Sequence, residues 1–249
     1  MSPDVTADHV LATWFEDFND EPAVVERHLA RWFDVDPEYD LYLRRTLGPA
    51  CEHALAGGYE AWIDSAHGRL ALIVLLDQVT RNIHRGTARA FAGDARAYAL
   101  ASDAIARGLD LEVDFMRRAF YYMPLEHAED LGAQQRYLEI SLLREREAPP
   151  DLLRFVRDYT AAGREHLAVI ERFGRFPHRN VALGRVSTEE EIAWLAQHRR
   201  HWGQPPPFTD LLTTHVVATR APSRYGRGLH SALDRGGRRW LESCKTRSR

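Results

Sequence analysis

Residues 67–84 read HGRLALIVLLDQVTRNIH. The centre of this segment is apolar on nearly every side, which marks a helix enclosed by others rather than one with a wet face. It is expected to run from Ala66 to about His84 as the central buried helix, with Gly86 ending it. Its longest apolar run, Leu70 to Leu76, falls far short of the roughly 20 residues a membrane-crossing helix needs, so no membrane association is expected.

Helical periodicity continues outward on both sides. Upstream, Val10, Trp14, Phe15 and Phe18 form a stripe that ends near Asn19. A second helix is expected to start with Asp36 as N-cap and Pro37 at the first position and to run toward Gly57-Gly58, with Tyr39, Leu43, Leu47, Cys51 and Leu55 buried. Trp62 falls in a short helix after it. Downstream, Thr87 is expected to cap a helix through Arg107, closed by Gly108, with Phe91, Ala95, Tyr98 and Ile105 inward. Val113 to Met123 reads as an aromatic helix, and Pro124 as the break that opens the next one, Leu125 to about Arg146. Pro149-Pro150 separates that from a helix reaching Phe173 and closed by Gly174. Ser187-Thr-Glu-Glu-Glu is a capping-box start for a last helix ending near Gln197. No alternating apolar-polar run of useful length occurs, so no sheet is expected. The expected fold class is all-α, an antiparallel helix-pair array built as a superhelix or bundle over residues 1–198, although no clean 34-residue repeat is visible.

Residues 199–249 break this pattern. Pro205-Pro206-Pro207 forbids helix, and Gly226, Gly228, Gly236 and Gly237 punctuate the rest. The chain's 33 Lys+Arg and 36 Asp+Glu divide into 22 and 33 before Arg199 and 11 and 3 from it onward, an acidic body with a basic extension. A solvated tail accounts for that balance, and contact with RNA or acidic partners is the competing account. Nucleic-acid binding is the weaker of the two, because the basic residues have no folded platform and the body is acidic. The N-terminal MSPDVTADHVLATWFEDF has neither a basic nor an apolar signal region. Two cysteines, Cys51 and Cys244, suggest no disulfide framework, so a reducing, cytoplasmic setting is expected.

Three segments carry a family pattern: LALIVLLDQVTRNIHRGTARAFAGDARA (70–97), FYYMPLEHAEDLGAQQRYL (120–138) and HLAVIERFGRFPHRNVALGR (166–185). With the N-terminal Trp-Phe pairs they resemble the bacterial family called domain of unknown function 924, over roughly residues 8–197. The resemblance implies an all-α fold similar to tetratricopeptide-like arrays, and it implies no activity. Members of the family typically stop soon after the helix that corresponds to Glu190–Gln197, so 199–249 lies outside its pattern.

The same segments hold the residues suited to chemistry. Asp77, Arg81 and Arg85 share a helix face at i, i+4, i+8, with Asn82 beside them. Buried there, they either lock neighbouring helices as ion pairs or present forked guanidinium donors to a carboxylate or phosphate. With Pro124 opening a helix, Glu126, His127, Glu129 and Asp130 fall in its first two turns. Acids there suit the positive end of the helix dipole; beside a histidine they equally suit acid–base work or a metal. His166 and the rigid RFPHRN loop add Arg175, His178, Arg179 and Asn180, more polar groups than helix capping needs. Should these groups converge, they form a cleft for an anionic small molecule. In that cleft Arg81, Arg175 and Arg179 would hold the anion, His127 or His178 would act as acid–base group, and Glu126 or Glu129 would orient the imidazole. Asp77, Asn82, Arg85, His166 and Asn180 complete the lining.

The competing reading is a protein-interaction module in which the same clusters are struts. No nucleotide-binding, metalloprotease or hydrolase motif occurs, and the lack of any Glu-x-x-His argues against a helical-bundle di-iron site, so the sequence leaves the cofactor unknown. Spacing gives no positive support to a metal on His127, His166 and His178. The aromatic residues Phe115, Phe120, Tyr121 and Tyr122, with Trp14, Trp32, Phe33 and Trp62, read as core.

Overall fold

The computed structural model describes residues 5–198, and among them only helices and turns occur, with no strand. The basic extension from Arg199 lies outside the described residues. Ten α-helical segments follow in order: α1 Ala7–Phe15, α2 Pro22–Phe33, α3 Pro37–Leu55, α4 Ala66–Ile73, α5 Thr80–Ile83, α6 Asp94–Arg107, α7 Ala119–His127, α8 Leu131–Glu147, α9 Leu153–Phe173 and α10 Glu189–Gln197.

The central helix is as the sequence predicts, with one addition. Between α4 and α5 the chain does not break but widens into a π turn over Val74–Val79, where the Thr80 N–H reaches back to the Leu75 carbonyl. Every residue from Gly68 to Thr80 is buried. α3 runs antiparallel alongside, since Arg44 reaches the Ile83 carbonyl while the Cys51 thiol reaches that of Leu75 at 3.6 Å. α8 and α9 form the other evident antiparallel pair. Tyr137 packs on Gly163, where a Cβ would stand 2.4 Å from its ring, and Glu145 lies 3.9 Å from Arg157.

One apolar core runs from α1 to α9, and a smaller one joins Val169, Ile170 and Phe176 to Trp194 and Leu195 of α10. The main core is anchored by aromatic packing. Trp14 and Trp32 stack at 5.9 Å between centroids, and Phe120 meets Trp32 edge-on at 4.8 Å. Trp32 also donates its indole N–H to the Trp14 carbonyl at 3.1 Å, so a buried donor is satisfied as the rings pack.

Several boundaries differ from the sequence reading. Pro124 lies inside α7 instead of opening α8, and Val113 to Met123 is helical only from Ala119. The real break is at Ala128–Asp130. There the Asp130 carboxylate caps α8 by accepting the Ala133 N–H at 2.7 Å. Gln134 then reaches back to the carbonyls of Glu126 and Ala128 at 2.5 and 2.8 Å, satisfying the exposed end of α7. Thr87 precedes a short 3-10 turn, Ala88–Phe91, and α6 begins at Asp94. Its buried positions are Ala97, Ala101 and Ala104, while Ala95 is exposed. The α6 N-terminus comes so close to the π turn that a Cβ on Gly93 would stand 2.2 Å from the Leu76 carbonyl oxygen. The capping box at α10 is present as read, with Thr188 and Glu191 bonded reciprocally.

Candidate functional site

Asp77 sits within the π turn and is wholly buried. Widened turns of this kind recur at functional sites because the extra residue re-aims side chains. Its carboxylate accepts three groups. His127 Nδ1 lies 2.8 and 3.0 Å from its two oxygens, Gln78 Nε2 2.6 Å from Oδ2, and Arg81 Nη1 2.9 Å from Oδ1. Burial pushes the Asp77 carboxyl up, but Arg81 and His127 outweigh it and hold it down at about 2. His127 moves the other way: burial and then the Arg81 charge depress it below the ordinary histidine value, against the pull of Asp77. With Nδ1 committed to Asp77, no partner among the described residues occupies Nε2 of His127. Its side chain is 19 % exposed, so the pair has a fully buried end and an edge reaching solvent.

A second carboxylate extends the network. Asp94, at the first position of α6, accepts Arg81 Nη2 at 3.0 Å and Arg179 Nη1 at 3.2 Å. Arg179 also donates Nη2 to the His127 carbonyl at 2.9 Å. Both guanidinium groups lie over the Phe91 ring, at 5.8 Å for Arg81 and 4.7 Å for Arg179, and Phe176 stacks 4.5 Å from Arg179. Desolvation lowers Arg179 to about 10, because Asp94 offsets only part of its burial and Arg81 repels it. Burial likewise works against the Arg81 charge, but Asp77 and Asp94 more than compensate and raise it. Behind His127 lies a second histidine–carboxylate pair, His166 with Glu126 at 3.1 Å. His166 Nδ1 also faces the Ala162 carbonyl at 2.9 Å. Burial raises Glu126, but the neighbouring His166 charge prevails and lowers it. The two imidazoles stand 6.5 Å apart, with Phe176 flanking His166 at 5.4 Å.

Of the residues singled out from the sequence, Asp77, Arg81, Glu126, His127, His166 and Arg179 are brought together in this way. Asn82 is buried one position beyond Arg81, and its Nδ2 lacks a hydrogen-bond partner among the described residues. His178 is buried 5.5 Å from Phe176. The others are braced outside the network. Arg85 forks onto Asp40 at 2.8 and 2.9 Å. Arg175 grips Glu191 at 2.7 and 2.8 Å, and Asn180 bonds Ser187 and Glu191 at 3.0 and 3.2 Å. Glu129 accepts the Phe176 N–H at 2.8 Å and two bonds from Arg185 at 2.6 and 2.9 Å. Glu126 and His127 occupy the last turn of α7, not the first turns of a helix, so the dipole argument for acids there does not apply. Sequence reasoning missed Asp94, Gln78, Phe91 and Arg185. The available signal was a charge count: Asp77 alone does not balance Arg81 and Arg179 in one buried cluster, and Asp94, which takes both, lies in the same quoted segment as Asp77. A separate surface cleft of about 490 Å³ is lined by Asn19, Pro22, Pro149 and Leu152, none of them in this network.

These features define an all-α protein with a buried Asp–His–Arg network at the junction of three sequence segments. The chain belongs to the bacterial proteins of unknown function (DUF924), whose family model matches residues 10–199. It is similar to a solved protein of unknown function, ATU0120 from Agrobacterium tumefaciens, at 35 % identity and a TM-score of 0.64, over 77 % of this chain and 97 % of that one. No curated protein matches the chain.

Proposed function

We propose that the chain is a small-molecule enzyme or binder that takes an anionic metabolite at the solvent-reaching edge of this network, in a reducing, cytoplasmic setting. The observation that carries the reading is the Asp77–His127 pair. A buried carboxylate fixes the imidazole through Nδ1 and leaves Nε2 unpartnered among the described residues, an arrangement suited to moving a proton. The depression of His127 keeps it neutral near pH 7, ready to accept one. Arg179 and Arg81 divide one 21 %-exposed carboxylate, Asp94, between them. A ligand carboxylate or phosphate that displaces Asp94 from Arg179 would gain charge-assisted bonds to a guanidinium its own protein compensates incompletely. Glu126 and His166 stand behind His127 as a supporting pair.

The test is a thermal-shift screen of carboxylates and phosphate esters on the wild-type chain, Arg179→Ala and His127→Gln. A stabilising anion is expected for the wild type, lost in Arg179→Ala with folding intact and retained without turnover in His127→Gln. Turnover should rise with pH through a midpoint below the ordinary 6.5 of histidine. Failure of every anion, or equal shifts in Arg179→Ala, would refute the reading.

The alternative, a tetratricopeptide-like interaction module whose polar clusters are struts, draws support from Arg85–Asp40, Arg175–Glu191 and Arg185–Glu129, each closed on its own partner. It requires specific capture of a partner protein and a loss of stability alone in Asp77→Ala.

A further inference from the structure

Outside that network, Glu16 and Asp17 at the end of α1 lie beside His28 of α2, with one ligand-capable atom of each within 4.8 Å of the others. His28 is 2 % exposed, and its ring packs against Phe18 and Trp32, at 5.2 and 5.3 Å between centroids. Its Nδ1 faces the Val24 carbonyl at 2.9 Å. A carbonyl only accepts, so Nδ1 carries a proton, and in the neutral ring Nε2 keeps its lone pair. That Nε2 is buried and has no hydrogen-bond partner among the described residues. It stands 3.4 Å from Asp17 Oδ1, and a carboxylate oxygen has no proton to offer a bare ring nitrogen.

We propose that Glu16, Asp17 and His28 form a divalent-cation site that takes Zn²⁺. Ligands about 2.0–2.1 Å from a tetrahedral zinc stand about 3.3 Å from one another, so Nε2 and Oδ1, two acceptors 3.4 Å apart, stand at the separation of two atoms sharing an ion. The bond from Nδ1 to a backbone carbonyl is the outer contact that metal-bound imidazoles carry, fixing tautomer and ring orientation. Arg27 holds Asp17 Oδ2 at 2.6 Å and Arg31 holds Glu16 Oε2 at 2.5 Å, leaving the second oxygen of each carboxylate for the ion. The turn itself is held in place. Arg117 donates to the Phe18 carbonyl at 3.0 Å, and Asp20 accepts the Met116 N–H at 3.2 Å. One imidazole nitrogen with two carboxylates and room for water suits zinc over Mg²⁺ or Ca²⁺, which prefer oxygen alone. Bound there, the ion would staple the end of α1 to α2.

The experiment is calorimetric titration of the untagged, chelator-treated full chain with ZnCl₂ and, separately, MgCl₂, with melting temperature read alongside. One Zn²⁺ per chain is expected, raising the melting temperature, with Mg²⁺ much weaker. Zinc affinity should fall about tenfold or more in His28→Asn and Asp17→Asn. His28 is buried and its variant can misfold. Asp17 is 68 % exposed, so Asp17→Asn keeps the apo protein's melting temperature and decides the matter. Absence of zinc binding, or zinc affinity unchanged in Asp17→Asn, overturns the proposal.

Discussion

Replacing Asp77 by Asn keeps the shape of the side chain and removes its charge from the centre of the molecule. His127, Arg81 and Gln78 all lose an ionic acceptor, and burial leaves no water to substitute. Removing one partner of a buried ion pair costs roughly 3–5 kcal/mol. Because Arg81 keeps Asp94 at 2.9 Å, the expected loss is at the low end, about 3 kcal/mol. For a domain of this size that lowers the melting temperature by about 6–12 °C. The pH dependence gives a second signature. Asp77 lies at about 2 in the folded protein, against about 3.9 in an unfolded chain. A carboxylate depressed in this way contributes its stability in full above the unfolded value, and the contribution is lost as pH falls toward the folded one. The gap between wild type and Asp77→Asn should therefore be widest at pH 5–7 and shrink from about pH 4 downward. Urea unfolding followed by circular dichroism at pH 7, 5, 4 and 3 measures it. A loss below about 1 kcal/mol at pH 7, or a gap that stays constant to pH 3, would refute the assignment of Asp77 as the ionised centre of the network.

Gly93→Ala should destabilise by about 1–3 kcal/mol, because the new Cβ meets the Leu76 carbonyl oxygen at 2.2 Å and pushes Asp94 away from Arg81 and Arg179. At an unconstrained helix position the same change would stabilise, so an unchanged or raised melting temperature refutes the close approach. Thr188→Ala removes one half of the α10 capping box and should cost about 1 kcal/mol in chemical denaturation. No measurable loss would show that α10 does not unfold with the rest.

What could be read from the sequence was what local chemistry dictates. The all-round apolar character of 70–76, Asp36-Pro37 at the start of α3, Gly174 after α9 and the Thr188 box all act within a few residues. Helix α2 was overlooked although Val25, His28, Leu29 and Trp32 recur at i, i+3, i+4 and i+7 and are all buried; that signal was present. The Pro124 boundary failed because α7 accommodates a proline that local rules treat as a break, while the actual stop rests on Gln134 reaching back across the turn. That Asp77, Arg81, His127 and Arg179 share one cleft was a hypothesis of convergence. The sequence reading assigned the orienting of the imidazole to Glu126 or Glu129, whereas it is Asp77 that faces His127 Nδ1. The sorting of Arg85, Arg175, Glu129 and Asn180 onto Asp40, Glu191, Arg185 and Ser187 depends on loop paths that no spacing encodes.

The widened turn at Val74–Val79 amounts to one residue more than a regular helix of the same rise would hold. A chain shortened by that single position would still be helical and still be greasy throughout. Everything after it, from Thr80 through Arg85, would swing by about 100° about the axis, carrying Arg81 off Asp94 and Arg85 off Asp40. The helix is therefore phased in two halves, one set by the core and the other by the ion pairs. A one-residue deletion there would leave solubility and helix content nearly intact while dismantling the polar centre, damage that neither property would report.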